Sequence, residues 1–560
     1  MKPTRFLLTA VAFLLIATTG NATEIEGDVW GIWAPENNPY LVVGEIRVPA
    51  ESTLVIEPGV AVTFKGYYKF IVDSNATLQA IGTETDSIYF TTDDTATGWH
   101  GIRFLQSHPN SQMSYCRIEY GKAIGASPDS CGGGIFCLAS DITVSHCYLA
   151  SNFSEGDGAA IYCNSCVTLS ITDNVIVENL AQNGHGGGMF CEHCDDLSIT
   201  NNTISGNYGH RGGGMNCVRD SSVVVSNNII SGNSSFNSGG GMRFQNIKDG
   251  LIAQNLVSGN WTLSPPGGNG AGIYTRNCGR DVVVSGNVVT ENVAAGRGGA
   301  FFCRDTRTTL INNSATGNSA AYGGGICCRD YAHPILINTI LWQDSSDTGP
   351  EICLLSQASD PCSLTVTYCD VQGGESGVFI DDDCVLRWEE GNTDLDPRFR
   401  DTEAVDLHLM ADYCGDPDNS PCIDSGDPET ADSLLDCSLG LGTLSCDIGA
   451  YGGNNAGWWT DVREDPNNGR PLPAQFLLKQ NYPNPFNAST TIYYQVPVHG
   501  RVTLEVYNLL GQKVTTLLDG KQQAGCGSVL WDGSGVSSGV YFYRLTAEGL
   551  SETKRMLLLK

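Results

Sequence analysis

Three residue series recur in step between residues 110 and 370, and that periodicity constrains the fold more than any other feature. The first is a glycine tract closed by an apolar residue, as in Gly132-Gly133-Gly134-Ile135, Gly186-Gly187-Gly188-Met189, Gly212-Gly213-Gly214-Met215, Gly239-Gly240-Gly241-Met242 and Gly323-Gly324-Gly325-Ile326. The second runs through Asn174, Asn202, Asn228, Asn255, Asn287, Asn313 and Asn338, with Cys116 and Cys147 in the same register before it and Cys369 after it; intervals within it are 25 to 32 residues. The third follows five residues later, at Asn152, Asn179, Asn207, Asn233, Asn260, Asn292 and Asn318. Series that keep step in this way define a structural repeat.

Within each unit apolar residues alternate ahead of the asparagine (Leu169/Ile171, Leu197/Ile199, Val223/Val225, Val282/Val284), and another sits two positions beyond it (Ile176, Ile204, Ile230, Val257, Val289). Period two with β-branched residues predicts strands, and the Asn and Gly positions predict corners. No segment carries sustained helical periodicity, so helical solenoids are excluded. A unit with about three short strands can bury its apolar faces only against copies of itself, which makes the expected fold an all-β solenoid with coils in parallel register. Inward asparagines at a corner should then hydrogen-bond the next coil, and glycine at the opposite corner should permit positive φ and close approach.

These signatures resemble the right-handed parallel β-helix family, of pectin-lyase-like architecture, and the repeats of bacterial polymorphic outer-membrane proteins. The resemblance implies the handedness and covers about residues 28 to 400, with Val48 to Phe104 as the first coils. It says little about activity, because this architecture carries lyases, hydrolases, adhesins and stalks alike. The expected organisation is a signal peptide over 1–22, the β-helix over 23–400, a capping segment over the solenoid's open end at 401–453, a linker at 454–475 and a further domain at 476–560.

Lys2 and Arg5 ahead of the apolar run Phe6 to Ala17, followed by Gly20-Asn21-Ala22, fit an export signal. The run is too short for an ordinary membrane span. A formal charge of −30, from 61 Asp+Glu against 31 Lys+Arg, excludes sequence-independent binding to nucleic acid or anionic membranes.

Candidate functional residues come from the strand after the glycine tract. Alternation points Phe136, Tyr162, Phe190, Tyr274 and Phe302 outward, interrupted by Asn216 and Arg243, so an exposed aromatic column that stacks sugar rings or meets a protein partner is one expectation; burial under loops is the other. Cys137, Cys163, Cys191, Cys217 and Cys303 should face inward as a thiol column or as inter-coil disulfides. Cys163, Cys166, Cys191 and Cys194 supply the four thiolates of a zinc site, although repetition and export both argue against one. Disulfides are expected among Cys414, Cys422, Cys437 and Cys446, and Cys526 should be free. Asp416-x-Asp418-x-Ser420 begins like a calcium loop but has Pro421 and Asp427 where glycine and glutamate belong, so no cofactor is assigned.

Strings found in polygalacturonase-like hydrolases occur as Asn392-Thr393-Asp394, Asp195-Asp196 and Gly184-His185-Gly186, in reversed order and too far apart to share a groove. The expected function is therefore carbohydrate binding or adhesion. A lyase or hydrolase acting on an acidic polysaccharide is the alternative, and a passive surface stalk a third.

The C-terminal segment changes character. Asn481-Tyr482-Pro483-Asn484-Pro485-Phe486-Asn487, Val506-Tyr507-Asn508-Leu509-Leu510-Gly511-Gln512, Trp531-Asp532-Gly533, Ser538 to Leu545 and the tail Lys554 to Lys560 resemble the type A sorting domain of type IX secretion, related to the Ig-like module of hook-capping proteins. The resemblance implies recognition of residues 476–560 by the secretion machinery, and display on the cell surface or release.

Overall fold

Each repeat becomes one coil of parallel strands. In the computed structural model the coil that begins at Met189 has strands Met189–Glu192, Asp196–Thr200, Thr203–Ser205 and Tyr208–Arg211. The next coil pairs with it in parallel: Met189 faces Met215, Leu197 faces Val223, Ile204 faces Ile230 and Tyr208 faces Ser234. Equivalent residues therefore stand in columns. The second strands build a 14-stranded sheet and the fourth strands a nine-stranded one. First and third strands merge into a single 26-stranded sheet, because the long strand Tyr40–Val48 turns a corner and pairs with both Ala61–Phe64 and Phe70–Val72. The fourth strand, as short as Leu180–Ala181, exceeds the three expected per unit. No α-helix occurs among the described residues.

The structure describes residues 22–558 apart from 266, 357–360, 403–405, 431, 433–440, 444, 454–462, 465–470, 473–476, 479–485, 497–499, 510, 523–524 and 548–549. The expected signal peptide, most of the linker, Cys437, the motif residues Asn481 to Pro485 and the side chain of Cys526 lie outside it. The chain divides into two units, Met1–Gly457 and Trp458–Lys560.

Two asparagine ladders hold the corners of the solenoid. Asn202 N–H and Nδ2 both donate to Asn228 Oδ1, at 2.8 and 3.0 Å, while Nδ2 also donates to Ile171 O at 2.9 Å. The same pattern links Asn174, Asn228, Asn255 and Asn287 to the next coil, and a parallel ladder joins Asn152 through Asn318. These bonds satisfy backbone groups that the bend withdraws from the strands. Cys147 and Cys369 do occupy the first ladder: Cys116 N–H meets Cys147 Sγ, and Thr339 N–H meets Cys369 Sγ, each at 3.4 Å.

Asn338 corrects the expectation. Asn313 N–H donates to Thr339 Oγ1, so Thr339 is the rung and Asn338 is the corner residue before it, with φ of 47°. Asn201, Asn227 and Asn312 hold that same left-handed corner position ahead of their own rungs. Asparagine suits both places, a left-handed corner and a buried rung, and spacing alone does not separate them.

Inside the ladders lies a continuous core of Val, Ile, Leu, Met and Phe, and Cys137, Cys163, Cys191, Cys217 and Cys303 are buried in it as free thiols. Burial pushes neighbouring thiols upward, Cys278 to about 11 and Cys369 to about 12, so they remain protonated at neutral pH. The glycine tracts are tight where coils touch: a Cβ on Gly187 would stand 2.3 Å from Tyr208 O and 2.5 Å from Gly213 O.

The described residues of the segment after the last coil include a cluster seated on the side of the solenoid. Phe399, Leu407, Leu409, Ala411, Ile448 and Ala450 pack sideways on Val288 and Ile340, beside Leu256 and Trp342. Ala450 N–H donates to Ser314 Oγ, and Asn312 Nδ2 to Asp447 O. Outward apolar residues on the third strands of these coils give these residues a lateral seat. The expected cap disulfides are only partly formed: Cys414 is disulfide-bonded, whereas Cys422 and Cys446 are buried free thiols. Cys422 Sγ lies 3.2 Å from Asp370 Oδ2 and Cys446 Sγ 3.1 Å from Asn338 Nδ2.

The C-terminal unit has a four-stranded and a three-stranded antiparallel sheet, from strands Leu477–Leu478 to Leu550–Leu558. Phe486, Trp531, Tyr541, Tyr543, Met556 and Leu558 meet in its core. Motifs scattered along the sequence are thus one packed cluster, with the Phe486 and Trp531 rings 5.5 Å apart and Trp531 edge-on to Tyr541 at 5.4 Å.

Candidate functional site

The aromatic column is real and in register, but it is not exposed. Phe136 and Tyr162 stack at 5.0 Å and Tyr162 and Phe190 at 5.6 Å, each within 8° of parallel. Arg103 closes one end, 3.9 Å over Phe136. The column continues through Asn216 and Arg243, which share a 3.1 Å hydrogen bond, to Tyr274 and Phe302 at 5.2 Å. Phe136 and Phe302 are 1% exposed, Phe190 and Tyr274 4%, and Tyr162 is half-buried. The cause is the glycine tract. Its first glycine has positive φ and turns the chain back over the outward side chain, so that Cβ atoms on Gly132, Gly239 and Gly270 would stand 2.6–2.8 Å from Phe136, Arg243 and Tyr274. Alternation gives the direction of these side chains correctly, outside the main core, and misses their roof.

A different column is partly exposed. The residue after each second-ladder asparagine stands in register on the nine-stranded sheet: Phe153, Leu180, Tyr208, Ser234, Trp261 and Val293 are paired coil to coil, with Phe153 and Tyr208 half-buried and Ser234 buried. Leu180 and Trp261 are each 39% exposed and Val293 50%. Their strand neighbours Ala181, Gly209, Ser235, Thr262 and Ala294 are buried and small, as they must be where this strand abuts the glycine tract. Beside the column Phe236, 43% exposed, stacks on His210 at 5.2 Å, and Leu263 is exposed as well. Burial and the charge of Arg211 hold His210 below its ordinary pKa, so it is neutral near pH 7. The signal for this face was present in the sequence, in the bulky residue that follows Asn152, Asn179, Asn207 and Asn260.

Residues 73–228 and 159–341 match the family model of the right-handed β-helix region, and residues 480–559 match that of the secretion system C-terminal sorting domain. No curated protein matches the chain. The chain is a right-handed β-helix protein with a C-terminal secretion sorting domain. That tail directs the β-helix protein to the cell surface or extracellular space and implies contact with the type IX machinery. No helix among the described residues is long and apolar enough to cross a membrane.

The remaining candidates of the β-helix protein do not converge on a catalytic centre. His185 packs 6.3 Å from Phe190 and burial lowers it to about 4. Asn392 serves as a rung, accepting from Cys369 N–H at 2.9 Å, at the far end of the solenoid from Asp195-Asp196. Cys163 is paired across neighbouring strands with Cys137 and Cys191, and Cys163, Cys166, Cys191 and Cys194 are buried in the core as free thiols; among the described residues no group of His, Cys, Asp or Glu is placed to hold a metal ion. In the calcium-like string Asp416 is held by Arg400 at 2.9 Å and by Ala411 N–H. Asn260-Trp261-Thr262 has the form of a glycosylation sequon, but Asn260 is a fully buried rung of the ladder.

Proposed function

We propose that the mature protein is a glycan-binding, adhesive β-helix whose contact surface is the outer face of the fourth strands. The observation that carries this reading is the partly exposed column Leu180, Tyr208, Trp261 and Val293, with the Phe236–His210 stack alongside, on a chain of formal charge −30. Solvent-facing aromatic rings on a rigid sheet offer flat apolar platforms for the C–H faces of sugar rings. The half-buried Arg211 and Asn237 add polar groups at the edge of that platform. The second ladder on one side and the glycine tract on the other fix the strand register, so the surface is preorganised and little entropy is lost on binding.

Glycan-array screening followed by titration of the best hit tests the proposal. The double variant Trp261→Ala/Phe236→Ala should bind at least about tenfold more weakly with unchanged thermal stability, the loss of two ring contacts. Binding that survives this change, or no glycan binding on any array, would refute it.

A further inference from the structure

Three arginines and a histidine gather on the outer side of the 14-stranded sheet, near its C-terminal end. Arg280 precedes strand Val282–Ser285, Arg307 precedes Thr309–Ile311, His333 precedes Ile335–Ile337, and Arg387 lies within Val385–Trp388. The pairing of Thr309 with Ile335 and of Ile335 with Thr365 puts Arg307, His333 and Ser363 at equivalent positions on successive coils. Together they line an open cavity of about 340 Å³, and among the described residues no carboxylate lines it.

Ser363 organises the group. Its Oγ lies 2.9 Å from His333 Nδ1 and accepts from Arg387 at 3.2 Å. Arg280, Arg307 and Arg387 are exposed and form no ion pair among the described residues. Nearby acids are engaged by other arginines: Asp305 by Arg276 and Arg304 at 3.5 and 3.6 Å, and Asp330 by Arg304 and Arg329 at 2.9 and 3.1 Å. Asp281 is exposed next to Arg280 but does not line the cavity. Three guanidinium groups left unmatched side by side, on a chain with 61 acidic residues to 31 basic ones, repel one another without any structural return. An anion removes that repulsion, and the planar donor fork of arginine fits the two oxygens of a carboxylate or sulfate.

We propose that this groove binds the carboxylate or sulfate groups of an acidic glycan whose chain runs along the solenoid axis. Arg307 and Arg387 stand three coils apart, about 14 Å at about 4.8 Å per coil, with His333 and Ser363 between them, so a linear polymer lying along the axis can reach both arginines. The site stands on residues separate from the aromatic face; only the choice of a glycan as carrier of the anion rests on the function proposed above.

Calorimetric titration of the full chain with three probes tests it: a galacturonate tetramer, a sulfated heparin-derived tetrasaccharide and a neutral cello-oligosaccharide. One acidic probe should bind, identifying carboxylate or sulfate as the group, and Arg307→Gln/Arg387→Gln should weaken it at least about tenfold. Both arginines are exposed, so the fold should be retained, and the charge-matched control Arg219→Gln/Lys521→Gln should change the affinity less than about twofold. Failure of both acidic probes to bind would overturn the proposal. So would full affinity in the Arg307/Arg387 variant, or equal affinity for a DNA oligomer of the same charge. Neutral binding lost on Trp261→Ala with no acidic binding would sink the anion site and leave the aromatic face standing; acidic binding lost on Arg307→Gln/Arg387→Gln with no neutral binding would do the opposite.

Discussion

Asn228 shows how one side chain can hold two coils. Its Oδ1 accepts both amide donors of Asn202, and its Nδ2 donates to Ile199 O and Ser226 O at 2.9 and 3.0 Å. Asn228→Ala strands these buried groups, and a loss of about 2–4 kcal/mol in urea unfolding is expected. The second ladder ends differently. Asn318 donates to Asp344 Oδ1, and Asp344 N–H in turn donates to Glu351 Oε1 at 3.1 Å, with both carboxyls buried. Burial raises Asp344 to about 7, and burial together with the charge of Asp344 raises Glu351 to about 10. Folding therefore favours the protonated pair: its contribution is complete below the ordinary carboxylate range and is lost as pH rises through about 7 towards about 10. Asp344→Asn should flatten this decline and raise the melting temperature at pH 8 while changing it little at pH 4; an unchanged pH profile would contradict the assignment.

Within the strands, the glycine tract does two jobs that a periodicity count cannot separate. It lets neighbouring coils touch, and it folds back over the outward aromatic residues. Gly187→Ala should cost about 3 kcal/mol or more in unfolding experiments, because the atoms it meets are backbone carbonyls that cannot move aside. Phe190→Ala should cost about 3–5 kcal/mol and leave glycan binding unchanged, since Phe190 is a packed ring and not a contact surface. Strand positions and rungs were legible in the sequence because each repeats at fixed offsets from Asn174 to Asn313. The roof over Phe136 and Tyr274 was not, because it depends on the backbone direction at Gly132 and Gly270, and apolar alternation looks the same with or without a cover. The exposure of Leu180 and Trp261 on the nine-stranded sheet was legible in principle, yet two-residue strands give too little alternation to identify a face.

At the scale of the molecule, the two units were separable by composition alone, since the coil repeat stops before the sorting motifs begin. The lateral seating of Phe399, Leu407, Leu409, Ile448 and Ala450 was not, because it rests on contacts such as Ala450 to Ser314, 136 residues apart in the chain. Deletion of residues 480–559 should leave the protein inside the envelope of a host with type IX secretion, as read by fractionation and surface proteolysis. The coil-to-coil register has a further consequence. Because every face advances by the same step, gaining or losing one whole repeat would lengthen or shorten the outer aromatic row without disturbing the chemistry of any coil. The molecule is in effect a ruler, and its reach along a polymer can be retuned by copying a unit instead of redesigning one.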